Sequence, residues 1–205
     1  MIRIGVLGAG HLGKIHLKLL KEMPEVFTLV GVYDPSNYQH EFVTQELGLT
    51  LYESAEALLA EVDAIDIVTP TLSHYTLASQ AIRLFKHVFV EKPVTATYEE
   101  ARSLVELADE AGITAMVGHV ERYNPAIRVL AGRTLHPSFL QIDRLAQYNP
   151  RGTDVSVVHD LMIHDIDLAL HLVGSSIKRI SANGARVVSS TADIATARLE
   201  FQNGA

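Results

Sequence analysis

Directly after an apolar run, Ile2 to Leu7, the chain breaks into Gly8-Ala9-Gly10-His11-Leu12-Gly13 and then into a helical pattern reaching about Glu22. Three glycines at this spacing, between a strand and a helix, leave few folds open. The first makes a tight turn, the second lets the backbone approach a pyrophosphate, and the third lets helix pack on strand. The helix start at His11 and Leu12 offers N–H groups and a partial positive charge to phosphates. A second strand, Phe27 to Tyr33, stops at Asp34, 21 residues past Gly13, where a carboxylate would hold the diol of an adenosine ribose. An acid there favours NAD, since a 2′-phosphate would be repelled; NADP is the alternative.

The pattern continues as a βαβ rhythm over the first ~120 residues. Ala64 to Val68 and Val88 to Val90 are apolar on both faces, as central parallel strands are. Thr97-Tyr98-Glu99-Glu100 has capping-box spacing and opens a helix that Gly112 ends, and Thr114 to Val117 returns to strand. The rhythm then changes. Pro125 to Leu135 reads as a helix, Phe139 to Leu145 as an alternating strand, Val157 to Val173 as a long apolar helix, and Ile180 to Val188 and Ala195 to Phe201 as strands. The expected fold is α/β: a Rossmann dinucleotide-binding domain over 1–120, then the front of an α+β domain over 121–205. Asn203-Gly204 signals a type I′ hairpin turn with only Ala205 after it, so the chain is expected to be the front portion of a longer protein.

Composition narrows the function classes. The 205 residues include no cysteine, which removes disulfides, thiolate metal sites and cysteine nucleophiles. A formal net charge of −7 without any lysine/arginine cluster argues against nucleic acid. No apolar stretch is long enough to span a membrane and no signal peptide precedes the first strand, so a cytoplasmic protein is expected.

Two further motifs carry chemistry. Glu91-Lys92-Pro93 falls at the carboxyl end of a parallel strand, the edge where such sheets bind ligands. A lysine there can stabilise developing alkoxide charge; taken alone, it reads first as an ordinary strand-end charge before a proline. Thr69, Thr71 and His74 lie at the same edge and join Glu91 as candidate cofactor contacts, although His74 by itself reads first as a helix-start or packing histidine. In His159-Asp160-Leu161-Met162-Ile163-His164-Asp165-Ile166-Asp167, Asp160 and His164 are i and i+4, and Asp167 and His171 continue that face. This stripe on an apolar helix is expected to be buried. Three readings stay open: a general base oriented by a carboxylate, a divalent-metal site, or a satisfied interior polar network.

Gly8 to Gly13, Glu91-Lys92-Pro93 and Asp160-x-x-x-His164, in that order, resemble the signature of the Gfo/Idh/MocA oxidoreductase family over the whole chain. The resemblance implies a Rossmann domain followed by an α/β domain whose open antiparallel sheet often builds the interface of a homo-oligomer when the protein is full length. It implies hydride transfer between NAD(P) and a secondary alcohol of a sugar, cyclitol or nucleotide-sugar. Lys92 would assist the reacting oxygen, His164 would be the acid/base and Asp160 would position substrate or histidine, with no metal; the Lys92–Pro93 bond is often cis in relatives. Gly118 to Ala126 and Arg151 to Val155 look like a subgroup that includes UDP-N-acetylglucosamine 3-dehydrogenases. Glu121, Arg122, Asn124 and Arg151 are candidate substrate contacts, or surface-loop charges. A competing class is a sensor that binds the dinucleotide without chemistry.

Overall fold

A computed structural model describes residues 1–36, 39–130, 132–133, 135–147 and 156–205. The chain divides into two compact units, Met1–Gly118 and His119–Ala205.

In the first unit, β1 (Ile2–Leu7), β2 (Phe27–Tyr33), β3 (Ala64–Ile67), β4 (His87–Val90) and β5 (Ala115–Val117) form a parallel sheet in the order β2-β1-β3-β4-β5. A parallel bridge from Val32 to Leu51 lays one more segment beside β2. Counting that segment as a strand gives the doubly wound order 3-2-1-4-5-6. The order reverses at β1, so the crevice for a ligand opens at the carboxyl end of β1, where the glycines are.

Alternation along β1 builds the two faces of this sheet. Ile4 and Val6 pack with Val32, Phe42, Val43 and with Leu17 and Leu20 of α1 (His11–Lys21). Leu7, with Ile65, Ile67, Val88 and Val90, packs against α2 (Ala55–Glu61), α3 (Thr71–Arg83) and α4 (Tyr98–Ala111) through Leu58, Leu59, Ala78, Ile82 and Leu104. The capping box at α4 is complete: Glu100 N–H donates to Thr97 Oγ1 and Thr97 N–H to Glu100 Oε2, both at 3.2 Å. Such a cap contributes about 1 kcal/mol.

The second unit departs further from expectation. The helix read as Pro125 to Leu135 is one turn, α5 (Pro125–Arg128). None of its residues is buried, so no apolar face holds a longer helix down, and Gly132 turns at φ +81°. Phe139 to Leu145 is not a strand. Phe139 is 81% and Leu145 96% exposed, and among the described residues no strand pairs with this segment. Alternation alone does not hold a strand without a neighbouring ladder.

The long helix is present, but it begins as a π-helical turn, Val158–Met162, before α6 (Ile163–Val173). β6 (Ile177–Ala185) and β7 (Ile194–Phe201) form an antiparallel pair. β6 ends three residues earlier than its apolar pattern because Asp193 takes the next backbone donors: the N–H groups of Val187, Val188 and Ser189 all point at its carboxylate. The Ser189 side chain, then those backbone donors, hold the Asp193 carboxyl well below its usual range. The turn after β7 is not type I′, which needs positive φ at Asn203; among the described residues only Phe85 does so without being glycine. Gly204 instead adopts φ +93° after a Phe201–Gly204 turn, closed by Gly204 N–H to Phe201 O at 3.1 Å. Phe201 N–H then reaches Ala205 O, the geometry of a turn followed by a glycine bulge.

Candidate functional site

The glycine loop is shaped by backbone contacts. Gly8 sits at φ +101° and donates to Tyr33 O at 2.9 Å; a side chain there would also meet Val68 O. A Cβ on Gly13 would overlap the Gly8 carbonyl. Gly10 differs: no atom lies within 4 Å of where its Cβ would be. It is the N-cap of α1, no side chain caps that helix, and its first turn carries no acid. His11 and Leu12 follow it on the exposed surface. An uncapped helix start facing open space is the cradle a pyrophosphate requires, so the residues fit a dinucleotide.

Asp34, at the end of β2, is buried and serves the loop itself. Its Oδ2 accepts from Ala9 N–H at 2.6 Å and its Oδ1 from Ser36 N–H at 2.8 Å. Each oxygen retains a second lone pair for a ribose hydroxyl. Beside it, Tyr33, Pro35, His40, Leu51, Tyr52 and Glu53 line a pocket of about 370 Å³.

Thr69 lies between β3 and α3, Thr71 is the first residue of α3, and Thr69 Oγ1 accepts from the Ser73 hydroxyl. His74 is placed as a packing histidine would be. It is 1% exposed, with Nδ1 2.9 Å from Pro93 O and Nε2 2.8 Å from Thr69 O, bridging two loops from behind. The Lys92–Pro93 peptide between them is cis.

Glu91 is likewise buried, 5% exposed. Its Oε2 accepts from Lys92 N–H at 3.0 Å, and its Oε1 lies 3.4 Å from His16 Nε2. His16 Nδ1 donates to Asp66 Oδ2 at 2.9 Å. The sequence reading overlooked this trio. Its signal was Asp66, an acid inside the apolar run of β3, which requires a partner once buried. Burial by itself lowers the imidazole pKa, but the two carboxylates on its nitrogens reverse that and raise it to about 9. Burial pushes Asp66 up, whereas Glu91, despite burial, is held low by His16, the Lys92 N–H and the Lys92 charge.

A stability dependence follows from His16, which is faced by Asp66 from β3 and Glu91 from the end of β4. From pH 6.5 to 9 the folded chain holds a proton the unfolded chain has released, so stability must fall as pH rises through that window. One proton sets a ceiling of about 1.4 kcal/mol per pH unit. Melts across the window should show this slope in the parent and lose it in His16→Gln; parallel slopes would refute it.

In the second unit, Asp160 lies in the π turn and is exposed, as is His171; His164 is half-buried and Asp167 fully buried. The four do not make one buried stripe: the π turn takes Asp160 out of the i, i+4 phase, and His171, although in phase with Asp167 on α6, is exposed. Arg122 closes a fork on Asp167, Nε–Oδ2 2.7 Å and Nη2–Oδ1 2.6 Å, which commits that arginine within its own unit. Arg144, read as a strand residue, instead reaches Asp165 at 2.8 Å and Glu121 at 3.4 Å. Asn124 donates to Glu121 and caps α5 at Ala126 N–H. That Asn124 bond, then Arg144 and His164, lower the Glu121 carboxyl, which places Glu121 within electrostatic reach of His164. Arg151 lies outside the described residues. Among them, no three His, Asp or Glu converge as metal ligands would, and no helix is long and apolar enough to cross a membrane.

Sheet order, glycine loop and acid together define a dinucleotide-binding Rossmann architecture in the first unit. The sequence model of the oxidoreductase family with an NAD-binding Rossmann fold, Gfo/Idh/MocA, matches residues 2–119, and that of the family's C-terminal domain matches 126–205. The chain belongs to the Gfo/Idh/MocA family. It is 40% identical over 204 residues to a UDP-N-acetylglucosamine 3-dehydrogenase of Acidithiobacillus ferrooxidans, covering 99% of this chain and 64% of that protein. A solved structure of that enzyme superposes with a TM-score of 0.91, over 99% of this chain and 64% of the other. A scyllo-inositol 2-dehydrogenase (NAD(+)) of Bacillus subtilis is 32% identical over 223 residues, covering all of this chain and 65% of that protein. The chain thus spans somewhat under two thirds of the length of these relatives.

Proposed function

We propose that this protein is an NAD-dependent dehydrogenase of a secondary alcohol on a sugar or nucleotide-sugar, with the 3-hydroxyl of UDP-N-acetylglucosamine as substrate and the cytoplasm as its compartment. Residues 1–120 bind the dinucleotide; 121–205 belong to the substrate and oligomer domain. The observation that carries the reading is the open Gly10 cradle beside a braced Asp34, on a sheet edge that also presents Lys92. NAD, when bound, supplies the hydride acceptor. Lys92 donates to the alcohol oxygen and stabilises negative charge on it. His164 takes the hydroxyl proton and Asp160, earlier on the same helix, orients ring or substrate. Glu121, Asn124 and Arg151 contact the sugar nucleotide, and Arg122 holds Asp167 in place. Self-association through β6 and β7 belongs to this reading, since a two-stranded sheet with Ile180 and Ile194 exposed needs neighbours.

The test is the absorbance of reduced nicotinamide on mixing protein, NAD and UDP-N-acetylglucosamine, with UDP-glucose and inositols as competitors. Cofactor binding without reduction on any of them would sink the enzyme reading in favour of a sensor. Asp34 offers a second check. Because its carboxylate also holds Ala9 N–H, Asp34→Ala should weaken NAD and NADP alike by disturbing the loop. Asp34→Asn keeps one acceptor and should weaken NAD by roughly tenfold, one lost charged hydrogen bond, while NADP gains relative to it. Unchanged NAD affinity in both variants would remove Asp34 from the cofactor site.

A further inference from the structure

Three ionisable side chains meet inside the first unit, and the mechanism above uses none of them. His16 descends from α1 and is 15% exposed; Asp66 of β3 and Glu91 at the end of β4 are each 6% exposed at the side chain. Burying two carboxylates and an imidazole in an apolar sheet is unfavourable compared with packing hydrophobic side chains there. The trio therefore calls for a role, and its geometry gives one. Glu91 is held from four directions: its N–H bonds Ile67 O at 3.0 Å, His16 engages Oε1, Oε2 receives Lys92 N–H, and the carboxylate lies against Gly118, where any Cβ would overlap it. His16 is in turn held by Asp66 and by an edge-on contact with Phe89. The chain of contacts runs from the helix that begins at the glycine loop, through one carboxylate, to the backbone of Lys92.

We propose that His16 is a positioning residue for Lys92: acting through the Glu91 carboxylate, it fixes the lysine's backbone and ties it to the helix that begins at the cofactor loop. The proposal rests on the reading of Lys92 as the group that meets the substrate oxygen. His16 touches neither substrate nor cofactor in this scheme, and its effect belongs to turnover rather than binding. A misplacement of about 1 Å in such a group is enough to slow turnover by on the order of 10²-fold.

The experiment compares the parent with His16→Gln, Glu91→Gln, the double variant and Lys92→Ala. Steady-state rates use NAD and UDP-N-acetylglucosamine, NADH binding is read by fluorescence, and hydrogen exchange is followed at the Lys92 amide. His16→Gln should lower kcat by roughly 10- to 100-fold with KM and NADH affinity within about twofold. The Lys92 amide should exchange at least about tenfold faster while that of Val90 is unchanged, since only the former relies on Glu91. The double variant should lose no more than the worse single variant, as for residues acting in one chain. An unchanged Lys92 amide, or a kcat loss matched by lost NADH binding, or additive losses, overturns the proposal. If Lys92→Ala keeps its kcat, the reading of Lys92 fails instead, and the amide exchange still decides whether His16 holds that backbone. Should His16→Gln not fold, Glu91→Gln carries the same exchange measurement.

Discussion

His164→Ala should turn over on the order of 10²–10⁴-fold more slowly than the parent, the range for a lost general base, and should bind NADH as the parent does. His164 lies on α6, in the unit that does not contain the glycine loop, and α1 with its open start at Gly10 is built entirely from the other unit's residues. On the same unit, the Glu121 carboxyl is held low by Asn124 and Arg144, and the charge of His164 acts in the same direction. Lys92→Ala should show the same separation of kcat from NADH binding, because its backbone amide holds Glu91 whatever side chain follows. A His164→Ala protein with near-parental kcat would remove this residue from the mechanism. The metal reading forecasts differently: a chelator would abolish activity, and we expect it to do nothing.

The first unit was largely legible because local signals and global fold agree there. Phe27 to Tyr33 is bounded by the residues its pattern predicts, and the capping box at Thr97 is made by both its bonds. These features depend on residues close in sequence, or on runs buried on both faces. What was illegible depends on residues far apart. His16 is 50 residues from Asp66, and nothing in α1 alone distinguishes it from a surface histidine. Phe139 to Leu145 shows the opposite error. It alternates as a strand should, but strand formation is decided by a neighbour, and the segment's polar members serve α6 instead through Arg144. At Asn203-Gly204 the dipeptide does mark a turn, yet the asparagine stays at negative φ because its side chain accepts from Ala205 N–H and the glycine alone takes the left-handed position.

Gly10→Ala and Gly13→Ala should fail in opposite ways, although each adds one methyl group to the same loop. At Gly10 the added Cβ meets no atom of the protein within 4 Å, and the backbone there, φ −63° and ψ −166°, suits any residue. Its melting temperature should match the parent's to within the effect of a surface substitution, about 0.5 kcal/mol. The methyl group does, however, fill the space through which a pyrophosphate would approach the start of α1. NAD affinity should fall by on the order of 10²-fold, equivalent to about 2.7 kcal/mol. At Gly13 the methyl group runs into the Gly8 carbonyl, a backbone atom pinned by its own neighbours, so α1 must move away from β1. Overpacking of this kind costs about 1–3 kcal/mol, or a melting point lower by very roughly 2–10 °C in a chain of this size. Paired melts and NADH titrations read both quantities on the same samples. A Gly10→Ala protein that binds NADH like the parent would show that the cofactor does not lie across this loop. A Gly13→Ala protein that melts like the parent would show that α1 and β1 are free to separate.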